Sequence, residues 1–140
     1  MELNIILTLW AILLVVAHPV TCQPQTSTTV QIRNGTVHGV FDPNSRVHKW
    51  LGIPYAQQPV GNLRLRQAVP LNTSLGNLNA TEFGPSCYGR GNPSPSEACL
   101  SLNIWRPATN SSGSGLLPVL VWLYGGGLQG GYTASLLPLS

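Results

Sequence analysis

Leu117-Pro118-Val119-Leu120-Val121-Trp122-Leu123-Tyr124-Gly125-Gly126-Gly127 is the stretch whose reading decides the fold. Its apolar run extends from Leu116 to Tyr124, is interrupted only by Pro118, and stops abruptly at the glycines. A short, β-rich apolar run bounded by a breaker reads as a buried strand, with Pro118 at its entry. Pro118–Tyr124 is apolar on both faces, the pattern of a strand inside a mostly parallel sheet covered by helices. Glycine has no side chain, so the three at the end of the run let a ligand or another backbone approach, with free N–H groups to meet it. Bare donors at a strand end suit an oxyanion hole, because they must already stand where negative charge develops. The plainer reading of Gly125–Gly127 is a tight turn after a core strand, the commonest use of clustered glycines.

Working upstream, Thr109–Gly115 is small and polar and reads as a loop tip. Leu100-Ser101-Leu102-Asn103-Ile104-Trp105 alternates as a strand does. Leu71–Glu82 is rich in Asn and Thr and reads as a loop. Gln58-Pro59-Val60-Gly61 is turn chemistry. Arg64 and Arg66 beyond it share a side if that piece is extended. Val47–Ile53 reads as a strand whose pairing Pro54 ends. Thr29-Val30-Gln31-Ile32-Arg33 and Thr36-Val37-His38-Gly39-Val40 flank Asn34-Gly35, a strong hairpin signal because both residues tolerate positive φ. His38 has no acid or nucleophile beside it and reads as a partly exposed sheet histidine. Gln23–Ser27 is an expected extended arm.

Ile5–Ala17 is an apolar core of a different kind. It falls short of the roughly 20 residues that span a bilayer. It suits the apolar region of a secretory leader, although the preceding segment carries Glu2 and no basic residue. Pro19 breaks the helix, and Val20 and Cys22 occupy the small-residue positions before a cut ahead of Gln23. Residues 1–22 are therefore expected to be a signal peptide and 23–140 the mature domain, exported from the cell. A retained membrane anchor is the alternative. Four sequons agree with export: Asn34-Gly35-Thr36, Asn72-Thr73-Ser74, Asn79-Ala80-Thr81 and Asn110-Ser111-Ser112. Asn92 is followed by Pro93, which disqualifies it.

The 140 residues suit one small domain, and charged residues make up only 8%, too few for a disordered polyelectrolyte. The formal charge of +3 comes from basic residues scattered from Arg33 to Arg106. No block of like charge points to nucleic acid or to an anionic membrane. The three histidines and three cysteines do not stand at metal-ligand spacings, so neither metal nor cofactor is expected.

Two further stretches join the glycine run. Trp50-Leu51-Gly52-Ile53-Pro54-Tyr55-Ala56 is followed by Pro59-Val60-Gly61-Asn62-Leu63-Arg64. Ser96-Glu97-Ala98-Cys99-Leu100-Ser101-Leu102-Asn103-Ile104-Trp105 comes next. In order, spacing and wording, the three resemble the N-terminal region of the type-B carboxylesterase/lipase family, which includes the cholinesterases and large secreted fungal lipases. The resemblance runs from about Val30 to Tyr132. It implies an α/β class chain, the N-terminal portion of an α/β-hydrolase fold, with an antiparallel hairpin leading into the central, mostly parallel sheet. It also implies an ester substrate, either a small molecule or a lipid, and no stable membrane span.

The resemblance carries residue roles with it. Gly126 and Gly127 match the family's backbone donors to the oxyanion, and Gly125 is expected to shape the turn. Leu128 stands where the family usually has an aromatic residue, and Gly130-Gly131 is expected to loosen the segment after it. Arg64 matches an arginine that pairs with the glutamate matching Glu97; two solvated surface charges are the plainer reading. The family has a disulfide ending at the cysteine that matches Cys99. Cys87 and Cys99 are the only cysteines left after leader removal, and two cysteines in an exported chain usually pair. Ala98 stands where the family usually has Asp.

The mechanism implied is acyl transfer through a serine nucleophile, a histidine base and an acid. The nucleophile of such folds sits in a Gly-x-Ser-x-Gly elbow, and no such elbow occurs in these 140 residues. The family places it beyond Ser140, so Asp42, His48 and Glu97 are not recruited as a triad. The chain is expected to be an N-terminal piece of an ester hydrolase, inactive alone. A non-catalytic esterase-like binding or adhesion domain is the alternative from another class. A self-sufficient small exported glycoprotein is the third reading.

Overall fold

A computed structural model describes residues 27–108 and 116–133. The expected leader at 1–22 and residues 23–26, the expected loop at 109–115 with the Asn110 sequon, and residues 134–140 lie outside the described residues.

Among the described residues, six strands form two three-stranded sheets. In the first, β1 (Thr29–Ile32) pairs antiparallel with β2 (Gly35–His38), which pairs parallel with β5 (Gly76–Asn79). In the second, β4 (Val47–Pro54) lies between β3 (Val40–Asp42) and β6 (Ser101–Pro107), antiparallel to both. The hairpin forms as its sequence predicts, with its two turn residues one place earlier, at Arg33 and Asn34. Gly35 then opens β2 at φ +149°, where a side chain would run into the backbone of Gly76. The second hairpin strand divides at Gly39, whose N–H donates to the Thr28 carbonyl (2.9 Å).

β4 connects the two sheets. Its buried side chains alternate at His48 and Trp50, then resume out of phase at Leu51 and Ile53. The change of phase coincides with the break in register against β6 between Trp50 and Ile53, as a bulge requires. Gly52 takes φ +69° there, and a side chain on it would crowd the Glu82 carbonyl and the Gly84 N–H. The freed Leu51 N–H donates to the Ala80 carbonyl (2.8 Å), just beyond β5. Val37, Trp50, Ile53 and Ala80 form the buried core, with Leu78 packed against it. The Trp50 indole N–H donates to the Thr28 carbonyl (2.7 Å), so the core aromatic leaves no polar atom unpaired.

Three expectations are corrected. Leu71–Glu82 is not all loop. It contains β5, whose sequence Gly-Asn-Leu-Asn offers a single apolar residue, Leu78, to announce it. The Arg64–Arg66 piece is not extended: a 3-10 turn at Gly61–Leu63 precedes it, and Leu65 takes φ +58°, which separates the two arginines. The largest correction concerns Pro118–Tyr124. Residues 116–125 join neither sheet, and Val119 and Leu120 are 88% and 91% exposed. A strand apolar on both faces needs neighbours on both edges and layers above and below. None of the six strands pairs with it.

Candidate active site

The glycine turn follows directly from this unpaired segment. The Gly126 carbonyl accepts from the N–H groups of Gln129 (3.1 Å) and Gly130 (3.3 Å), closing a tight loop. Three consecutive residues have positive φ: Gly126 (+150°), Gly127 (+60°) and Leu128 (+62°). Glycine relieves that strain at the first two positions, and Leu128 bears it with its side chain in solvent. A Cβ on Gly126 would overlap the Gly130 carbonyl, whereas around Gly127 there is open space. Gly125 meets nothing and has no positive φ, so Gly126 rather than Gly125 shapes the turn. Among the described residues, no hydrogen bond takes the N–H of Gly126 or Gly127. Both line an open concavity of about 300 Å³ with Tyr124, Gly125, Leu128 and Gly130.

Gly130 and Gly131 tighten the loop rather than loosen it. A Cβ on Gly130 would strike the Arg90 carbonyl, and one on Gly131 the Gly125 carbonyl. The Arg90 N–H donates to the Gln129 carbonyl (2.7 Å). Asn92 completes the attachment. Its Nδ2 donates to the carbonyls of Cys87 (2.9 Å) and Gly131 (3.0 Å), and its Oδ1 accepts the Gly131 N–H (2.9 Å). The glycine turn is thereby fixed to the loop closed by the Cys87–Cys99 disulfide. Sequence reasoning missed Asn92 as a site residue. Its one sequence mark is Pro93, which keeps its amide from being a sequon.

Arg64 Nε and Glu97 Oε1 form an ion pair, tying the segment after the 3-10 turn to the end of the disulfide loop. It is a surface pair, with the Arg64 side chain 63% exposed. The N–H of Leu100 donates to Gln58 Oε1 (3.0 Å) and the Leu100 carbonyl accepts from Gln58 Nε2 (3.2 Å), a second tie between the same regions.

Asp42, Glu97 and His48, which the sequence reading does not recruit as a triad, each have other contacts. Asp42 Oδ2 pairs with Lys49 Nζ at 2.6 Å. That bond, then those from Ser45 and Asn44, hold its carboxyl well below the usual range. His48 is fully buried, with ring centroids 5.2 Å from Phe41 and 6.0 Å from Trp50. Its Nδ1 has no hydrogen-bond partner among the described residues. Burial first, and Arg106 second, depress its pKa below the ordinary value. Such a ring is a core side chain with no carboxylate to orient it as a base. His38 sits on β2, half-buried, with Nδ1 3.1 Å from Thr29 Oγ1.

The geometry is thus a donor-bearing turn with no nucleophile or base beside it among the described residues, mounted on a disulfide loop and an Arg–Glu pair. No helix among them is long and apolar enough to cross a membrane. Residues 26–138 match the carboxylesterase family. Fumonisin B1 esterase of Sphingopyxis macrogoltabida is 39% identical over 82% of this chain and 22% of its own length. The cholinesterase of Mus musculus is 37% identical over 76% of this chain and 20% of its own. Among solved structures, a PNB esterase superposes with a TM-score of 0.67 at 39% identity, covering 76% of this chain and 22% of that one. The chain spans about a fifth of the length of these relatives. With the α/β-hydrolase esterases as its structural neighbours and the family pattern running through both the disulfide loop and the glycine turn, this chain belongs to the carboxylesterase family.

Proposed function

We propose that this chain is the oxyanion-binding N-terminal part of a carboxylic ester hydrolase that works by serine acyl transfer. The N–H groups of Gly126 and Gly127 are the donors that receive the carbonyl oxygen as it gains charge. The observation that carries this reading is the turn itself: two adjacent N–H groups without partners among the described residues, in an open concavity, on a loop whose Gly126 and Gly130 cannot be replaced without collision. The substrate is a small-molecule or lipid ester, the class to which the names of the relatives point. Oxyanion donors act only once a nucleophile attacks, and this sequence holds no elbow to supply one. The chain alone is therefore inactive.

Residues 1–22 act as a leader, residues 23–140 are exported, and the chain is N-glycosylated. Export agrees with the disulfide, since such bonds persist in oxidising compartments.

The test is direct. The purified chain is incubated with p-nitrophenyl butyrate, and no hydrolysis above the buffer rate is expected. Turnover blocked by a serine-directed phosphonate would overturn the reading. Sequencing the transcript across the Ser140 codon separates the enzyme from the binding domain: an intact serine elbow in continuing frame supports the former, a substituted one the latter.

A further inference from the structure

The sequons differ in what their amides already do. An asparagine Nδ2 has two protons, and Asn34 uses both. It donates to the carbonyl of Leu71 (2.9 Å) and to that of Thr73 (3.0 Å). The Asn34 carbonyl in turn accepts from the Leu75 N–H (2.6 Å) and from Ser74 Oγ (3.4 Å). This one residue therefore joins the β1–β2 turn to the segment that leads into β5. The junction is close, because Gly35 and Gly76 face each other with no room for a side chain on Gly35. Asn92 uses its amide in the same manner, on the carbonyls of Cys87 and Gly131, and there Pro93 removes the sequon.

Asn72 and Asn79 are different. Asn72 is exposed, and Gln57 Nε2 donates to its Oδ1 (3.1 Å). That bond holds the oxygen, while no bond among the described residues uses Nδ2. Asn79 ends β5, which pairs with β2 on one edge only. Leu78 turns inward against the core, so its neighbour Asn79 faces the other way and is exposed. Its side chain makes no hydrogen bond among the described residues.

We propose that Asn72 and Asn79 are the N-glycan acceptors of the described residues, and that Asn34 is a structural clamp which the exported chain carries unmodified. The assignment rests on the export reading above. In glycan transfer, Nδ2 bonds to C1 of the first sugar of a lipid pyrophosphate-linked oligosaccharide. The C1–O bond breaks with its electron pair staying on the pyrophosphate, and one amide proton is lost to base. A glycosylated Asn34 would keep a single N–H, so either Leu71 or Thr73 would lose its donor, and a sugar would have to fit at the joint. At Asn72 and Asn79 the reaction removes no bond that the fold uses. Chains modified at Asn34 would fold poorly and be kept from the exported pool.

The test expresses the full chain in a mammalian secretory host, once with its own leader and once with a heterologous leader replacing residues 1–22. Glycan release in ¹⁸O-water marks each occupied asparagine for peptide mapping. Asn72 and Asn79 should be occupied in the exported pool and Asn34 not. Two variants separate clamp from acceptor. Thr36→Val removes the sequon and leaves the Asn34 amide intact, so export should stay unchanged. Asn34→Asp removes both donors and sets a carboxylate against two carbonyls, so export should fall about fivefold or more. Occupancy of Asn34 in half or more of the exported chain would overturn the proposal. So would bare Asn72 and Asn79, or an equal loss from Thr36→Val and Asn34→Asp. If the chain with its own leader stays in the cytosol while the chain with the heterologous leader shows the expected pattern, the export reading fails and the asparagine assignment stands.

Discussion

β4 mixes apolar residues with His48 and Lys49, the segment 116–124 is apolar almost throughout, and it is the more apolar of the two that stays exposed. In β4, Trp50, Leu51 and Ile53 are buried, and β3 and β6 pair with the strand on its two edges. In the other segment Trp122 is 65% exposed and no strand pairs with it. Both stretches have strand-forming composition. What differs is the supply of partners. β4 finds them in β3 and β6, and its bulge lets it serve both sheets. Residues 116–124 read as an interior strand of a larger sheet, and interior strands depend on neighbours contributed from elsewhere. Apolarity thus marks a strand's destination, while pairing decides whether it arrives.

The comparison can be broken most decisively at the two tryptophans. Trp50→Ala should destabilise the chain by about 3–5 kcal/mol, enough to unfold most of it, because it empties the centre of the core. Trp122→Ala should change stability by no more than about 0.5 kcal/mol. Urea titrations followed by near-UV circular dichroism measure both. Equal losses would mean that 116–124 is packed in solution. The same exposed run should drive self-association, since an uncovered apolar segment invites pairing with other chains. Light scattering should show aggregates that diminish when Val121 and Leu123 are both changed to Lys.

The next effect sharpens the contrast between sheets and turn. Cys87→Ser with Cys99→Ser should cost roughly 3 kcal/mol by chain entropy. It should also speed amide exchange at Gly131 and Gln129, which the disulfide loop holds, more than at Val37 in the core. Uniform acceleration would show that the loop supports the whole fold rather than the turn.

Acid should act on the β4 side. His48 is buried without an Nδ1 hydrogen-bond partner among the described residues, and its folded pKa lies below the ordinary value of about 6.5. The unfolded chain therefore binds the proton more readily, and stability falls as pH drops from about 6.5 towards the folded pKa. His48→Phe should flatten that limb while keeping the ring contacts. Asp42, whose folded pKa is also depressed, contributes stability that is lost only at lower pH, below the ordinary carboxylate value near 4. An unchanged limb in His48→Phe would assign the acid sensitivity elsewhere. The smallest change expected is Arg64→Met, at under about 1 kcal/mol, because the Arg64–Glu97 pair is largely solvated.

Much of this was legible in the residues. Asn34-Gly35 marked the hairpin, although the turn itself falls at Arg33 and Asn34, neither at positive φ, and Val47–Ile53 and Leu100–Trp105 carried strand composition with nearby partners. β5 was not legible: a parallel edge strand needs one inward residue, Leu78, and its register is set by the close approach of Gly35 and Gly76 rather than by alternation. The glycine turn was legible as a turn and as the candidate donor site. Which glycine shapes it was not, because that depends on carbonyls brought in from Arg90 and Gly130. Asn92 was hidden for a similar reason, since its three bonds span a distance along the chain that no local pattern records.

The Gly127 N–H as oxyanion donor is tested most directly in a chimera in which residues 26–138 of this chain replace the matching segment of the PNB esterase. Replacing Gly127 by glycolic acid exchanges that one N–H for oxygen and leaves φ free to stay near +60°. With thermal stability unchanged, kcat for p-nitrophenyl butyrate should fall by about 10²–10³. Gln129→Ala keeps both glycine N–H groups and lies outside the run of positive φ, and it should lower kcat far less. An ester-substituted chimera that folds normally and retains the parent kcat would contradict the assignment and return Gly125–Gly127 to a plain turn.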